Sequence, residues 1–197
     1  MSVVAPPPRA LVSGVAGGLL LMAVFTMWWA SDTFTGWPVP AAMVVTVFCA
    51  CAAVLFVVQA FRLLIARSRM SPERTDSDRA TKPNGALFGA VFAAEGVLIG
   101  VAVGILGAHG LNRFLVPGIA VIVGLHFFPM ARIFGRTLDL WLATWTTLVG
   151  AVGVVVVLFD GSTWPVVWSW VGAGAAAATF AYGASMSCFA QRLLAST

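Results

Sequence analysis

The chain has 197 residues, of which 60% are hydrophobic and 9% charged, with a formal net charge of +4. A water-soluble domain carries about 25% charged residues, so this composition excludes an ordinary soluble enzyme or binding module. The mean hydropathy of +0.98 points to lipid as the solvent.

Six apolar runs are each long enough to cross a hydrocarbon layer about 30 Å thick as a helix of about 20 residues. In chain order they cover 10–30, 39–61, 86–108, 114–133, 140–159 and 166–190. The expected fold is therefore all-α, a single domain formed by a bundle of six transmembrane helices. The runs are continuous rather than alternating, which favours helices over a barrel. The first run is too long for a signal-peptide core. Bulky Trp28 also occupies a place where cleavage after Ala30 needs a small residue, so 10–30 reads as a retained span.

Turn chemistry separates the spans. Gly36 and Pro38 follow the first, and Gly110 to Arg113 make a tight hairpin between the third and fourth. Gly161 and Pro165 precede the sixth. The segment 62–85 is the longest polar stretch and reads as a cytoplasmic loop. With the N-terminus inside, Arg9, Arg62, Arg67, Arg69, Arg74, Arg79, Lys82, Arg132, Arg136 and Arg192 share one side, and Arg113 alone lies opposite. That asymmetry places both termini in the cytoplasm. It also accounts for the positive charge without a nucleic-acid partner. Trp28, Trp29, Trp37, Trp164, Trp168 and Trp170 gather near the outer ends, and Trp141 and Trp145 near an inner end, as interfacial anchors do.

Few polar residues fall inside the spans. Glu95 lies ten residues into the third run counted from Gly85, about 15 Å along a helix. A carboxylate at that depth costs at least roughly 3 kcal/mol to insert and usually marks a pathway or a buried partner. Desolvation there favours the neutral acid. His126 lies at similar depth on the hairpin-connected fourth run, and a Glu–His pair can share a proton near neutral pH. Glu95 and His126 are thus the candidate substrate or proton pathway. The bland alternative for Glu95 is a single interhelical hydrogen bond. For His126 it is a bond to the Leu125 carbonyl, which Pro129 deprives of its helical N–H.

The third run also carries small residues at spacings of three and four, among them Gly89, Gly96, Gly100 and Gly104. They read as a close-packing face, because small residues let helices approach in lipid. That face is centred roughly 120° from Glu95. Pro117 and Pro129 read as sites of a kink or cavity in the fourth run. Asp139 reads as a first-turn carboxylate favoured by the helix dipole.

Cys49, Cys51 and Cys188 lie in apolar runs and read as packing residues rather than a disulfide framework. No phosphate-loop, H-E-x-x-H or C-x-x-C spacing occurs. No metal and no cofactor is expected. The segment Gly124-Leu-His-Phe-Phe-Pro-Met-Ala-Arg132 resembles one found in small uncharacterised bacterial multi-pass inner-membrane proteins. The resemblance implies a location in a bacterial inner membrane and no particular activity.

The leading expectation is a small proton-linked carrier or channel-like protein surrounded by the lipid bilayer. A non-enzymatic accessory subunit, packed on itself as a homo-oligomer or on another membrane protein, is the alternative. An intramembrane enzyme is third.

Overall fold

A computed structural model describes residues 9–69 and 85–195, and among these every regular element is helical. Six α-helices follow one another: α1 (Arg9–Ser31), α2 (Val39–Ala66), α3 (Gly85–Ala108), α4 (Leu115–Phe134), α5 (Thr137–Phe159) and α6 (Trp164–Ala195). Short 3-10 turns interrupt the connections at Asp32–Thr35, Arg67–Arg69, Asn112–Phe114 and Gly161–Thr163. The charged residues from Glu73 to Lys82 lie outside the described residues.

Each helix follows from its apolar run, but the ends differ from the runs. α2 continues past Arg62 to Ala66, so the polar connection starts later than residue 62. A long arginine side chain can reach the interface from inside a helix, and its charge does not end the helix. α5 begins at Thr137 and so includes Asp139 in its first turn. α4 ends at Gly135, whose φ of +63° is the left-handed conformation that closes a helix.

Five helices, α1 to α5, are long and apolar enough to cross a bilayer. The outward-facing side chains are those of a membrane protein. Val44, Ile65, Val97, Leu158 and Phe159 are among the most exposed, whereas a soluble fold would bury them. α6 is the longest helix at 32 residues but is richer in Ala, Gly, Ser and Trp. It occupies the middle of the bundle and packs on α1, α2, α4 and α5. It buries small residues such as Gly172, Ala175, Ala176 and Gly183 against these helices, which fits its lower hydropathy.

Two apolar clusters hold the bundle. One joins Leu19, Phe56, Leu63 and Leu193 from α1, α2 and α6. The other joins Trp29, Val116, Val157 and Val171, drawn from α1, α4, α5 and α6. Close approach depends on glycine on both sides of the bundle. A Cβ on Gly150 would lie 2.8 Å from the Pro117 carbonyl oxygen. A Cβ on Gly153 would lie 3.2 Å from the Pro117 ring. Pro117 is therefore a packed element of the α4–α5 seam. Gly36 packs against the Pro165 backbone. Its N–H donates to the Ser169 hydroxyl at 2.8 Å, which clamps the α1–α2 turn onto α6.

α3 stands apart. It packs against α4 and against the turn that joins them. A Cβ added at Gly89, Gly96, Gly100 or Gly104 would meet nothing within 4 Å. Among the described residues nothing packs on the small-residue face, whereas the sequence suggests close packing there. The stripe is real, but it points away from α4, the helix that α3 packs on among the described residues.

Candidate functional site

The side of α3 that meets α4 is formed by Val91, Glu95, Ile99, Ala102 and Leu106, the less exposed residues at helical spacing. Aromatic contact fastens one end of the seam, where the Phe88 and Phe134 rings lie 5.9 Å apart. At the other end Leu106 reaches toward Gly118. Glu95 sits between them. Helix phase alone therefore aims its carboxyl at α4, away from the glycine stripe.

His126 meets it there. Nδ1 of His126 lies 3.1 Å from Oε1 of Glu95, and each side chain is 11% exposed. The same Nδ1 lies 2.7 Å from the carbonyl oxygen of Val123, one helical turn back. The histidine's backbone partner is therefore Val123 and not Leu125. Pro129 lies inside α4.

Two acceptors around one ring nitrogen fix the chemistry. A carbonyl oxygen can only accept, so Nδ1 must carry the hydrogen. That hydrogen is shared between Val123 and Glu95. Movement of the same hydrogen onto Glu95 would leave a bare nitrogen facing a carbonyl oxygen, which is unfavourable. The exchangeable proton of the histidine is thus on Nε2, with Nδ1–H as the fixed tie to α3. The His126 ring also packs on Phe127, with centroids 4.3 Å apart.

A second polar group lies nearer the arginine-rich end of the bundle. Asp139, in the first turn of α5, is 0% exposed, and neither carboxyl oxygen has a hydrogen-bond partner. Arg136, Tyr182 and His126 all act on it electrostatically. The Tyr182 hydroxyl is near enough to interact with Asp139 yet lies outside hydrogen-bond geometry for either oxygen. It accepts from Nη1 of Arg136 at 3.4 Å. Sequence reasoning placed Asp139 correctly but missed its burial. A carboxylate at a span end ordinarily faces water, whereas this one is enclosed by the fold.

Two recesses open at the ends of the bundle. A cavity of about 450 Å³ at the arginine-rich end is lined by residues that include Arg136, Thr137, Tyr182, Ser185 and Arg192. A second of about 320 Å³, at the opposite end, is lined by Gly110, Asn112, Arg113, Gly161, Trp164 and Trp168. Neither is lined by Glu95 or His126. The Trp168 indole donates to the Arg113 carbonyl at 2.8 Å, so this aromatic pair is used in bracing the hairpin. Trp145 likewise donates to the Gly174 carbonyl at 2.9 Å and ties α5 to α6.

Among the described residues, no three His, Cys, Asp or Glu side chains converge as a metal site. Cys49, Cys51 and Cys188 are free thiols. No protein-family model, curated protein or solved structure matches the chain.

Proposed function

We propose that this protein spans a bacterial inner membrane six times with both ends in the cytoplasm, and works as a small proton-linked carrier or channel-like protein. α6 supplies the sixth span, since 32 residues extend about 48 Å. An even number of spans returns both ends to one side. Arg9, Arg62, Arg67, Arg132, Arg136 and Arg192 fall at that end of the bundle, which favours a cytoplasmic location for it. The Gly124 to Arg132 segment, similar to one in small bacterial membrane proteins, supports the choice of membrane.

The observation that carries the reading is the 3.1 Å approach of His126 to Glu95. The pair lies about 12–15 Å from the arginine-rich helix ends. Ionisable side chains at such depth are expensive to insert and are usually retained for proton or substrate movement. An added proton is held on Nε2 of His126 while Nδ1–H stays tied to Glu95, whose carboxylate balances the charge. Their enclosure describes an occluded state. Among the described residues α3 packs on α4 and the turn that joins them, so displacement of α3 on α4 is the motion that would open the pair to water.

The test is proton flux in sealed vesicles containing the purified protein, followed with a trapped pH-sensitive dye. Wild-type protein should give flux that depends on pH, and Glu95→Gln should insert normally but lose that dependence. Unaltered pH dependence in Glu95→Gln rules the reading out.

A second reading has its own observation. The open glycine face of α3 suits close approach of another helix, as in an accessory subunit or a homo-oligomer. A single cysteine at Gly100, in a background without the native thiols, should then cross-link between copies. Purely monomeric protein under the same oxidation argues against self-association.

A further inference from the structure

Asp139 is the one fully buried carboxylate among the described residues, and the role proposed for Glu95 and His126 does not use it. Its surroundings form a short route. Arg136 and Tyr182 both line the 450 Å³ recess at the arginine-rich end. The Tyr182 oxygen accepts from Arg136, which leaves its own hydrogen free to turn toward Asp139. The groups that face Asp139 are Tyr182 from α6, His126 from α4, and Arg136 at the start of α5 itself. Arg192 of α6 lines the recess beyond Tyr182. The Phe127 ring contacts both neighbours, with its centroid 4.3 Å from the His126 ring and 5.9 Å from the Tyr182 ring.

We propose that Asp139 is a proton-accepting site served from the arginine-rich recess through the Tyr182 hydroxyl, and that its charge acts on the Glu95–His126 pair. The inference deepens the proton-linked reading and rests on it. In the transfer step, the Tyr182 hydroxyl gives its hydrogen to a carboxylate oxygen of Asp139. The Tyr182 oxygen takes a proton from hydronium in the recess, leaving water. Tyrosine ends neutral, as it began, and Asp139 ends as the neutral acid. Neither carboxyl oxygen of Asp139 has a hydrogen-bond partner, so Asp139 reaches His126 through its field. In apolar surroundings a charge acts over a longer distance than in water. With Asp139 neutral, an attraction on positively charged His126 is removed.

The route can be read without transport. Protein is oriented in vesicles, and infrared spectra follow a rapid acidification of one face. Acidifying the arginine-rich face should produce a carboxylic-acid band that is absent from Asp139→Asn and displaced in Asp139→Glu. In Tyr182→Phe the band should reach the same height about a hundredfold more slowly, the size of effect a positioned proton-transfer group supplies. Tyr182→Phe removes one hydroxyl and keeps the ring, so this arm holds even where an Asp139 variant fails to fold. A band that rises at the wild-type rate in Tyr182→Phe overturns the proposal. So does a band that follows the opposite face, or one left intact by Asp139→Asn. Loss of flux in Glu95→Gln with no Asp139 band in wild type would retain the pair and remove Asp139. An Asp139 band beside unchanged flux in Glu95→Gln would do the reverse.

Discussion

Glu95 and His126 meet at 3.1 Å across the seam that holds α3 to the rest of the described bundle. The seam is otherwise apolar, so this contact is both its polar tie and its titratable group. The two roles separate on substitution. Glu95→Gln keeps an acceptor for Nδ1–H and should leave α3 in place. His126→Leu strands Glu95 and should weaken the seam by roughly 0.6–1.7 kcal/mol, the range of interhelical hydrogen bonds in membranes. Distances between spin labels on α3 and α4 should broaden in His126→Leu and stay narrow in Glu95→Gln. Equal broadening in both would show that the carboxylate charge, rather than the shared hydrogen, holds the seam.

Glycine substitutions should divide by location. Gly153→Leu puts a branched chain against Pro117 and Val171 and should destabilise the protein by at least about 1–3 kcal/mol. Gly100→Leu meets open space and should change stability by less than about 0.5 kcal/mol. Thermal unfolding of purified protein in detergent separates the two, and a comparable loss in both would place a neighbour against α3.

Much of the fold was legible because the spans are long and Gly, Pro and Arg mark their ends. The Glu95–His126 encounter was legible from depth, since two polar residues on a tight hairpin lie at one level. The glycine face misled because spacing shows that small residues share a side and says nothing about what lies against it. Gly150 and Gly153 went unnoticed because they are scattered among valines, though both pack directly against Pro117. Asp139 was hidden by its place at a helix start, where exposure is the ordinary case. The fold of the Asp32–Thr35 turn onto α6 depends on contacts more than 130 residues apart in sequence, which local pattern does not contain.

Ser169 is fully buried and accepts the Gly36 N–H, while its own hydroxyl hydrogen faces the Asp32, Thr33 and Pro165 carbonyls. Ser169→Ala leaves that buried N–H unpaired and should cost about 1–3 kcal/mol. Amide hydrogen exchange at Gly36 should accelerate in the variant. Unchanged protection would show that the turn is held by packing alone.

Asp160 gives the turn before α6 a pH dependence. Its carboxyl accepts from the Ser162 hydroxyl at 2.6 Å and the Ser162 N–H at 3.0 Å, and these bonds hold its pKa below the usual carboxylate value. The sign follows from that depression. The ordered turn is favoured above the ordinary carboxylate pKa and is lost as pH falls through the lowered value. Exchange of the Ser162 amide, corrected for intrinsic chemistry, should rise on acidification. Asp160→Asn should flatten the response, and a response that persists in Asp160→Asn would assign it to another group.

The whole account requires a bilayer around the pair, with the two ends of the bundle on opposite sides. A single cysteine at Ser68 marks the arginine-rich end, and one at Ser162 marks the other. Labelling intact cells with a membrane-impermeant thiol reagent should modify the Ser162→Cys protein and spare Ser68→Cys until the membrane is opened. Modification of both from the same face would contradict the arrangement and, with it, a proton path through Glu95 and His126.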